Sequence, residues 1–281
     1  TTEIYTLSLH DALPIWRSGL MSLVSTASSG WSTGFGNLLG KELGGWWGTR
    51  RWLIHLILWL VAVSGFVLAG TLAQYRTSTN PAGDVEELIQ MFFQLGGFFG
   101  LIGAVLVTQN VVVGERESGT AAWVLTKPTT RSAFILSKFV ALAPTFLLLS
   151  LVIPAVASFI MLKAFWGVAP APAHFAEAVG ILALHQAFYI ALTLLLGVLL
   201  RSRAAVGGVA LGFWISGAIL PNTKYFAPLT PFLPWPLTDA ATSIALWKPL
   251  PFQLWVPMLS TAILIVLFLG VALWAFEREE L

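Results

Sequence analysis

Hydrophobic residues in this chain are concentrated in six long runs, and short polar segments separate the runs. The runs cover residues 52–73, 88–113, 139–162, 175–200, 204–220 and 254–276. Each is close to the roughly 20 residues that an α-helix needs to cross the hydrocarbon core of a bilayer. Because a backbone in lipid must satisfy its own hydrogen bonds, such runs form helices. The pattern predicts an all-α integral membrane protein with six transmembrane helices.

The composition agrees with a membrane protein, since 57% of the residues are hydrophobic, 10% are charged and the mean hydropathy is +0.82. Soluble domains carry about 25% charged residues. The chain contains 0 cysteines, which excludes disulfides and cysteine-based metal or redox sites. No cluster of ligands suggests another metal site. The net charge of +2 comes from cations in short loops, so we expect no nucleic-acid partner.

The first part of the chain differs from the membrane domain at residues 52–281. Residues 1–20 resemble translated sequencing-adapter read-through, which predicts a non-native leader; a genuine short cytosolic extension is the alternative. Residues 21–51 begin with a flexible stretch rich in serine, threonine and glycine. From position 37 onward, leucines and the pair Trp46 and Trp47 alternate with charges, which indicates an interfacial amphipathic helix.

A polar segment, residues 114–131, lies between the second and third runs and is called here the polar loop. A charged residue at the centre of a bilayer costs roughly 2.5 to 3.5 kcal/mol. Glu115, Arg116 and Glu117 together would cost on the order of 8 kcal/mol, so the polar loop must lie in water beside the membrane. We expect Glu115 and Arg116 to brace the loop against the interfacial helix.

The sequence of the polar loop also predicts its shape. Gly119 can break the preceding helix, and residues 121–125 can then form one short helical turn from which Trp123 projects. Pro128 ends that turn, because proline cannot continue a helix.

The third transmembrane helix is predicted to begin directly after this turn. Thr129 or Thr130 can cap it by accepting a hydrogen bond from the first turn. Arg131 and Lys138 lie two turns apart, which predicts that both point from one face at lipid phosphates or at the cytosol.

The order of these residues resembles the cytosolic loop of type-2 ABC exporter permeases, where an E-x-x-x-G-T segment precedes a leucine, a proline, an arginine and a lysine. The matching positions are Glu115, Gly119, Thr120, Leu125, Pro128, Arg131 and Lys138. The resemblance implies a short cytosolic coupling helix that docks in a groove of a separate ATPase subunit. The implied coupling residues are Glu115, Arg116, Gly119, Thr120, Trp123, Leu125, Pro128 and Arg131. The alternative is an ordinary short loop that obeys the positive-inside rule.

The resemblance further implies that this chain is the permease subunit of an ATP-driven exporter and is not itself an enzyme. ATP and Mg²⁺ would bind on the partner ATPase, and this chain, which lacks a P-loop, would hold no cofactor. A second copy or a related permease would complete the pathway. The alternative is a secondary transporter or channel, for which membrane-depth carboxylates or internal repeats would be expected. A membrane enzyme would need a catalytic dyad, which the isolated His55 and His185 do not supply.

Cations are distributed unequally between the two sides of the predicted bundle. With the amino terminus inside, eleven of the 15 cations lie on the cytosolic side, at Arg17, Lys41, Arg50, Arg51, Arg116, Lys127, Arg131, Lys138, Arg201, Arg203 and Arg278. The other four are Arg76, Lys163, Lys224 and Lys248. This asymmetry predicts a multi-pass protein of the cell membrane with both termini in the cytoplasm.

Small and polar residues within the spans give candidates for the transport path. Two pairs with the small-x-x-x-small spacing permit close approach of helices, either within one bundle or between subunits. In the resembling family the first, second and fifth helices line the dimer seam and the substrate path. The implied candidates are Gln94, Gly96, Phe98, Phe99, Gly100, Gly208 and Gly212. For the neutral polar groups, including Gln186, hydrogen bonds between helices are the expected role.

Overall fold

The computed structural model describes residues 33–126, 129–250 and 252–279, and the six predicted spans are all present as helices. The predicted leader at residues 1–20 lies outside the described residues. Nine helices are labelled in chain order: α1 Phe35–Trp47, α2 Arg51–Gln74, α3 Pro81–Glu117, α4 Thr120–Leu125, α5 Arg131–Trp166, α6 Pro172–Leu199, α7 Arg203–Asn222, α8 Leu237–Ala245 and α9 Trp255–Glu277. Helices α2, α3, α5, α6, α7 and α9 are the spans, which confirms the predicted all-α membrane fold.

Several helices extend beyond the apolar runs that predicted them, and α3 shows the reason. Asn80 caps α3 by accepting a hydrogen bond from the Gly83 amide at 3.2 Å, and Pro81 occupies its first turn. The resulting 37 residues are about 55 Å long at roughly 1.5 Å per residue, far more than the hydrocarbon thickness. Hydropathy marks only the segment in lipid, whereas caps decide where a helix ends.

Helix α6 lies at the centre of the bundle, where it contacts α3, α5, α7, α8 and α9. The most apolar windows of α3, α5 and α6 are half or more buried, whereas less than a quarter of those of α2, α7 and α9 is buried. The apolar faces of these outer helices are therefore left for lipid or for another subunit.

Helices α2 and α5 each contain one π-helical turn, at Leu60–Ser64 and Leu148–Val152. The turn in α2 packs on residues Ile153–Trp166 of α5, and the turn in α5 packs on residues Arg51–Trp59 of α2. Ser64 Oγ donates to the Pro154 carbonyl at 3.0 Å and accepts from Ser158 Oγ at 3.1 Å. These bonds satisfy polar groups that lipid could not.

The segment between α7 and α9 is folded against the bundle at the end opposite the polar loop, called here the far end. The sequence predicts a small helix at residues 239–247, and α8 is found two residues earlier, at Leu237–Ala245. Helix α8 packs on α3 and α6. A Cβ on Gly97 would approach Thr238 Cγ2 to 2.8 Å, so any larger residue would have to displace Thr238 where α3 meets α8.

Candidate functional site

As predicted, the polar loop breaks at Gly119 and then forms one short helix, α4. After α3 ends, Gly119 adopts a left-handed conformation with φ of 70°, which favours glycine, and the chain reverses into α4. Thr120 Oγ1 and Ser118 Oγ are hydrogen bonded at 2.8 Å across this turn. Thr130 caps α5 by accepting from the Ala133 amide at 3.2 Å. Pro128 lies outside the described residues, as does the side chain of Leu125.

Among the described side chains of α4, that of Val124 lies in the protein core and that of Trp123 is directed outward. Val124 is 5% exposed and packs in a cluster with Leu38 of α1 and Phe134 of α5. Trp123, its neighbour, is 61% exposed. The short helix is therefore fixed to the bundle by Val124 and presents an indole ring at the surface, as the sequence predicts.

Lys138 does not point at lipid or at the cytosol, so that prediction is wrong. The residue is 2% exposed, and its Nζ lies 3.0 Å from Glu42 Oε1 and 2.9 Å from Glu115 Oε1. Lys41 Nζ adds a contact to Glu115 Oε1 at 2.9 Å. We call these four residues the ion cluster. A buried ammonium group needs paired carboxylates, and the cluster supplies them from α1 and α3.

Glu115 therefore braces the loop against α1 as predicted, but Arg116 does not. The Arg116 guanidinium donates to the carbonyls of Gly197 and Val198, both at 2.8 Å, and pairs with Glu279. It satisfies carbonyl groups at the end of α6, which have no partner within that helix. Its role is to join α3 to α6 and to the carboxy-terminal segment.

Arg131 also has an intramolecular role instead of the predicted outward direction. Its Nη1 donates to the Glu277 carbonyl at 2.9 Å, at the end of α9. A cation there also complements the negative end of the helix dipole. Arg203 pairs with Glu117, and both side chains are half exposed.

These contacts join α1, α3, α5, α6 and α9 at the polar-loop end of the bundle, called here the loop end. The groups that the sequence did not assign are Glu42, Glu279 and the carbonyl groups of α6 and α9. A carbonyl has no signal in sequence, and the pattern around Glu42 indicates only an amphipathic helix. Of the coupling candidates with described side chains, Trp123 is the large apolar residue that reaches the surface.

The two glycine pairs, Gly96 with Gly100 and Gly208 with Gly212, are in different environments. A Cβ on Gly100 would lie 2.1 Å from Gln186 Nε2, and the same amide donates to the Gly96 carbonyl at 3.1 Å. The pair on α3 therefore serves packing within the bundle, and Gln186 makes the predicted interhelical bond. Gly208 and Gly212 on α7 are exposed, and a methyl group added to either would meet no described atom within 4 Å.

The other candidates for the transport path on α3 also differ in their surroundings. Phe99 stacks on Phe66 of α2 with ring centroids 6.2 Å apart. Phe98 contacts Trp214 of α7 at 5.3 Å. Phe98 and Gln94 line a cavity of about 310 Å³ at the far end.

The far-end cavity brings together residues that are distant in the sequence. Gln94 and Phe98 come from α3, His185 from α6 and Trp214 from α7. Trp235, just before α8, and Asp239, in the first turn of α8, also line it. The sequence indicates no acidic residue near His185. In the fold, Asp239 of α8 lines the same cavity as His185. Burial raises the pKa of the Asp239 carboxyl, which lies outside the spans.

A second cavity, of about 570 Å³, opens at the loop end between α1, α2, α3 and α5. Its polar lining includes Arg51, His55, Asn110 and the buried face of the ion cluster. The loop-end cavity thus has a polar lining, whereas the lining of the far-end cavity is mostly apolar.

Comparison with known proteins adds the family. No curated protein matches the chain. The family described as ABC-2 family transporter protein matches residues 37–281, which include most of α1, the polar loop and all six spans. On this match and on the membrane architecture, the chain belongs to the ABC-2 family of transporter proteins.

Proposed function

We propose that this chain is the membrane-spanning permease subunit of an ATP-driven exporter and that it couples to a separate ATPase subunit through residues 115–128. Membership of the ABC-2 family supports the role of a membrane transport subunit. Coupling through residues 115–128 is supported by Trp123, which is 61% exposed on a short helix that Val124 anchors to the core. Tryptophan is enriched among residues that dominate binding energy at protein interfaces.

The contacts around α4 suit transmission of force. A partner that binds Trp123 would act on α4, and from there on α1 and α5 through the cluster around Val124. The adjacent ion cluster joins α1, α3 and α5. Movement of the loop would therefore be passed to spans and not absorbed in a flexible connector. Glu115 and Arg116 would contribute as supports of this frame, and Gly119 and Thr120 as the turn that directs α4.

ATP and Mg²⁺ are assigned to the ATPase subunit and no cofactor to this chain. We place the protein in the cell membrane with both termini and the loop end in the cytoplasm, on the asymmetry of its cations. A second copy or a related permease is expected beside α7, where exposed Gly208 and Gly212 allow a helix to approach closely. Lipid would cover the remaining apolar faces.

The test is the association of tagged permease with the ATPase subunit that co-purifies with it, identified by its P-loop. Trp123→Ala should weaken this association at least tenfold, about 1.4 kcal/mol, and reduce transport in parallel. Trp255→Ala is the matched control, because Trp255 is also 61% exposed but lies at the far end.

Gly119→Val should also weaken the association, because a β-branched residue is strained at φ of 70° and α4 would be misdirected. Both variants should insert and remain monodisperse. If they bind the ATPase and transport like the parent, the loop is a simple connector and a secondary transporter or channel becomes the better account.

A further inference from the structure

The far-end cavity has a composition that suits a particular ligand chemistry. Asp239 is the one charged side chain among the described residues that line it. None of the described residues donates a hydrogen bond to this carboxylate or forms an ion pair with it. Asp239 is an exposed residue, and its carboxylate is therefore open to solvent or to a ligand in the cavity.

Aromatic side chains form much of the remaining wall. Phe98 and Trp214 contact each other with ring centroids 5.3 Å apart, and Trp235 packs against Phe213 at 5.2 Å. Trp235 packs closely on α7, since a Cβ on Gly217 would lie 2.5 Å from its indole ring. Aromatic faces attract cations through the ring quadrupole, most strongly when water is excluded.

Three neutral polar side chains also line the cavity, namely those of Gln94, His185 and Thr238. His185 is 3% exposed, and its Nδ1 has no hydrogen-bond partner among the described residues. Gln94 lies on the adjacent face of α3. A buried polar atom without a partner costs free energy, which a ligand could recover. Asp239 is partly desolvated, which raises the pKa of its carboxyl, and a cation in the cavity would favour the ionised form.

We propose that the far-end cavity binds an organic ammonium ion, with its charge facing Asp239 and its apolar substituents against Phe98, Trp214 and Trp235. The volume of about 310 Å³ is at the small end of ligand pockets, which favours a compact amine. As a class of transported substrate this inference rests on the proposed function, whereas the binding itself needs no ATPase.

The test is equilibrium binding of radiolabelled choline to the purified full chain in detergent. The neutral competitor is 3,3-dimethylbutan-1-ol, which has the same shape without the charge. Choline should bind saturably, and the alcohol should compete at least tenfold more weakly. Absence of saturable binding, or equal competition by the two compounds, would overturn the proposal.

Variants locate the site. Asp239→Asn should weaken choline binding at least tenfold, whereas Glu177→Gln, which removes an exposed far-end carboxylate beside another cavity, should leave it unchanged. Trp214→Leu should weaken binding and Trp214→Phe should preserve most of it. If Asp239→Asn binds choline like the parent, the assignment is wrong. Asp239→Asn should still associate with the ATPase, so failure here is distinguishable from failure of the coupling proposal.

Discussion

Replacement of Lys138 by methionine tests whether the ion cluster holds the loop end together. The Lys138 side chain is 1% exposed, and its ammonium group bridges Glu42 and Glu115. Methionine has a similar length and no charge, so Lys138→Met leaves two carboxylates close together without their shared cation. The interfacial helix α1 would then lose its ion pair to α5 and keep only the Lys41–Glu115 pair to α3.

The expected cost follows from burial. Removal of one partner of a buried ion pair costs about 3 to 5 kcal/mol. The two glutamates are 22% and 20% exposed, so water screens them in part and we expect the lower end of that range, about 3 kcal/mol. At about 2 to 4 °C per kcal/mol, the midpoint of thermal unfolding should fall by about 6 to 12 °C.

The measurement is the fraction of monodisperse protein that remains after heating in detergent. Arg203→Met is the matched control, because its pair with Glu117 is half exposed and should contribute no more than about 1 kcal/mol. Neutralising the acceptors as well, with Glu42→Gln and Glu115→Gln beside Lys138→Met, should restore much of the stability. If Lys138→Met unfolds no earlier than Arg203→Met, the ion cluster does not stabilise this end of the bundle.

Three further predictions concern packing, helix ends and topology. Gly100→Ala should lower the thermal midpoint, because its methyl group would overlap the Gln186 amide, and an unchanged midpoint would contradict the observed packing. Arg116→Leu should destabilise the protein by about 2 kcal/mol in the same heating assay, since it removes charge-assisted bonds to carbonyls at the end of α6. In a chain with 0 native cysteines, Ser118→Cys should be labelled only from the cytoplasm and Asn222→Cys only from outside; labelling from one side would refute the topology.

Sequence reasoning located the elements well because the signals for them are local. A run of about 20 apolar residues specifies a span wherever it occurs. Gly119 and Thr130 mark a turn and a cap through their own backbone geometry and side-chain chemistry, and both lie where they were expected. Trp123 projects from α4 for the same reason, since a short helix after a glycine turn leaves few residues that can be exposed.

The partners of charged residues depended on the tertiary structure. Lys138 and Arg131 share a helix and a charge, and the sequence assigned both to the surface. Only the placement of α1 beside α5 brings Glu42 to Lys138, and only the end of α9 beside α5 supplies carbonyls to Arg131.

The functional candidates divide along the same line. By itself the sequence determined six membrane helices and a polar loop with an outward tryptophan, because these follow from hydropathy and local backbone preference. The fold decided that Gly100 is enclosed while Gly208 is exposed, and that Asp239 shares a cavity with His185. Identical residue types acquire different roles because burial and pairing depend on which helices are neighbours, and contacts between distant segments set that arrangement.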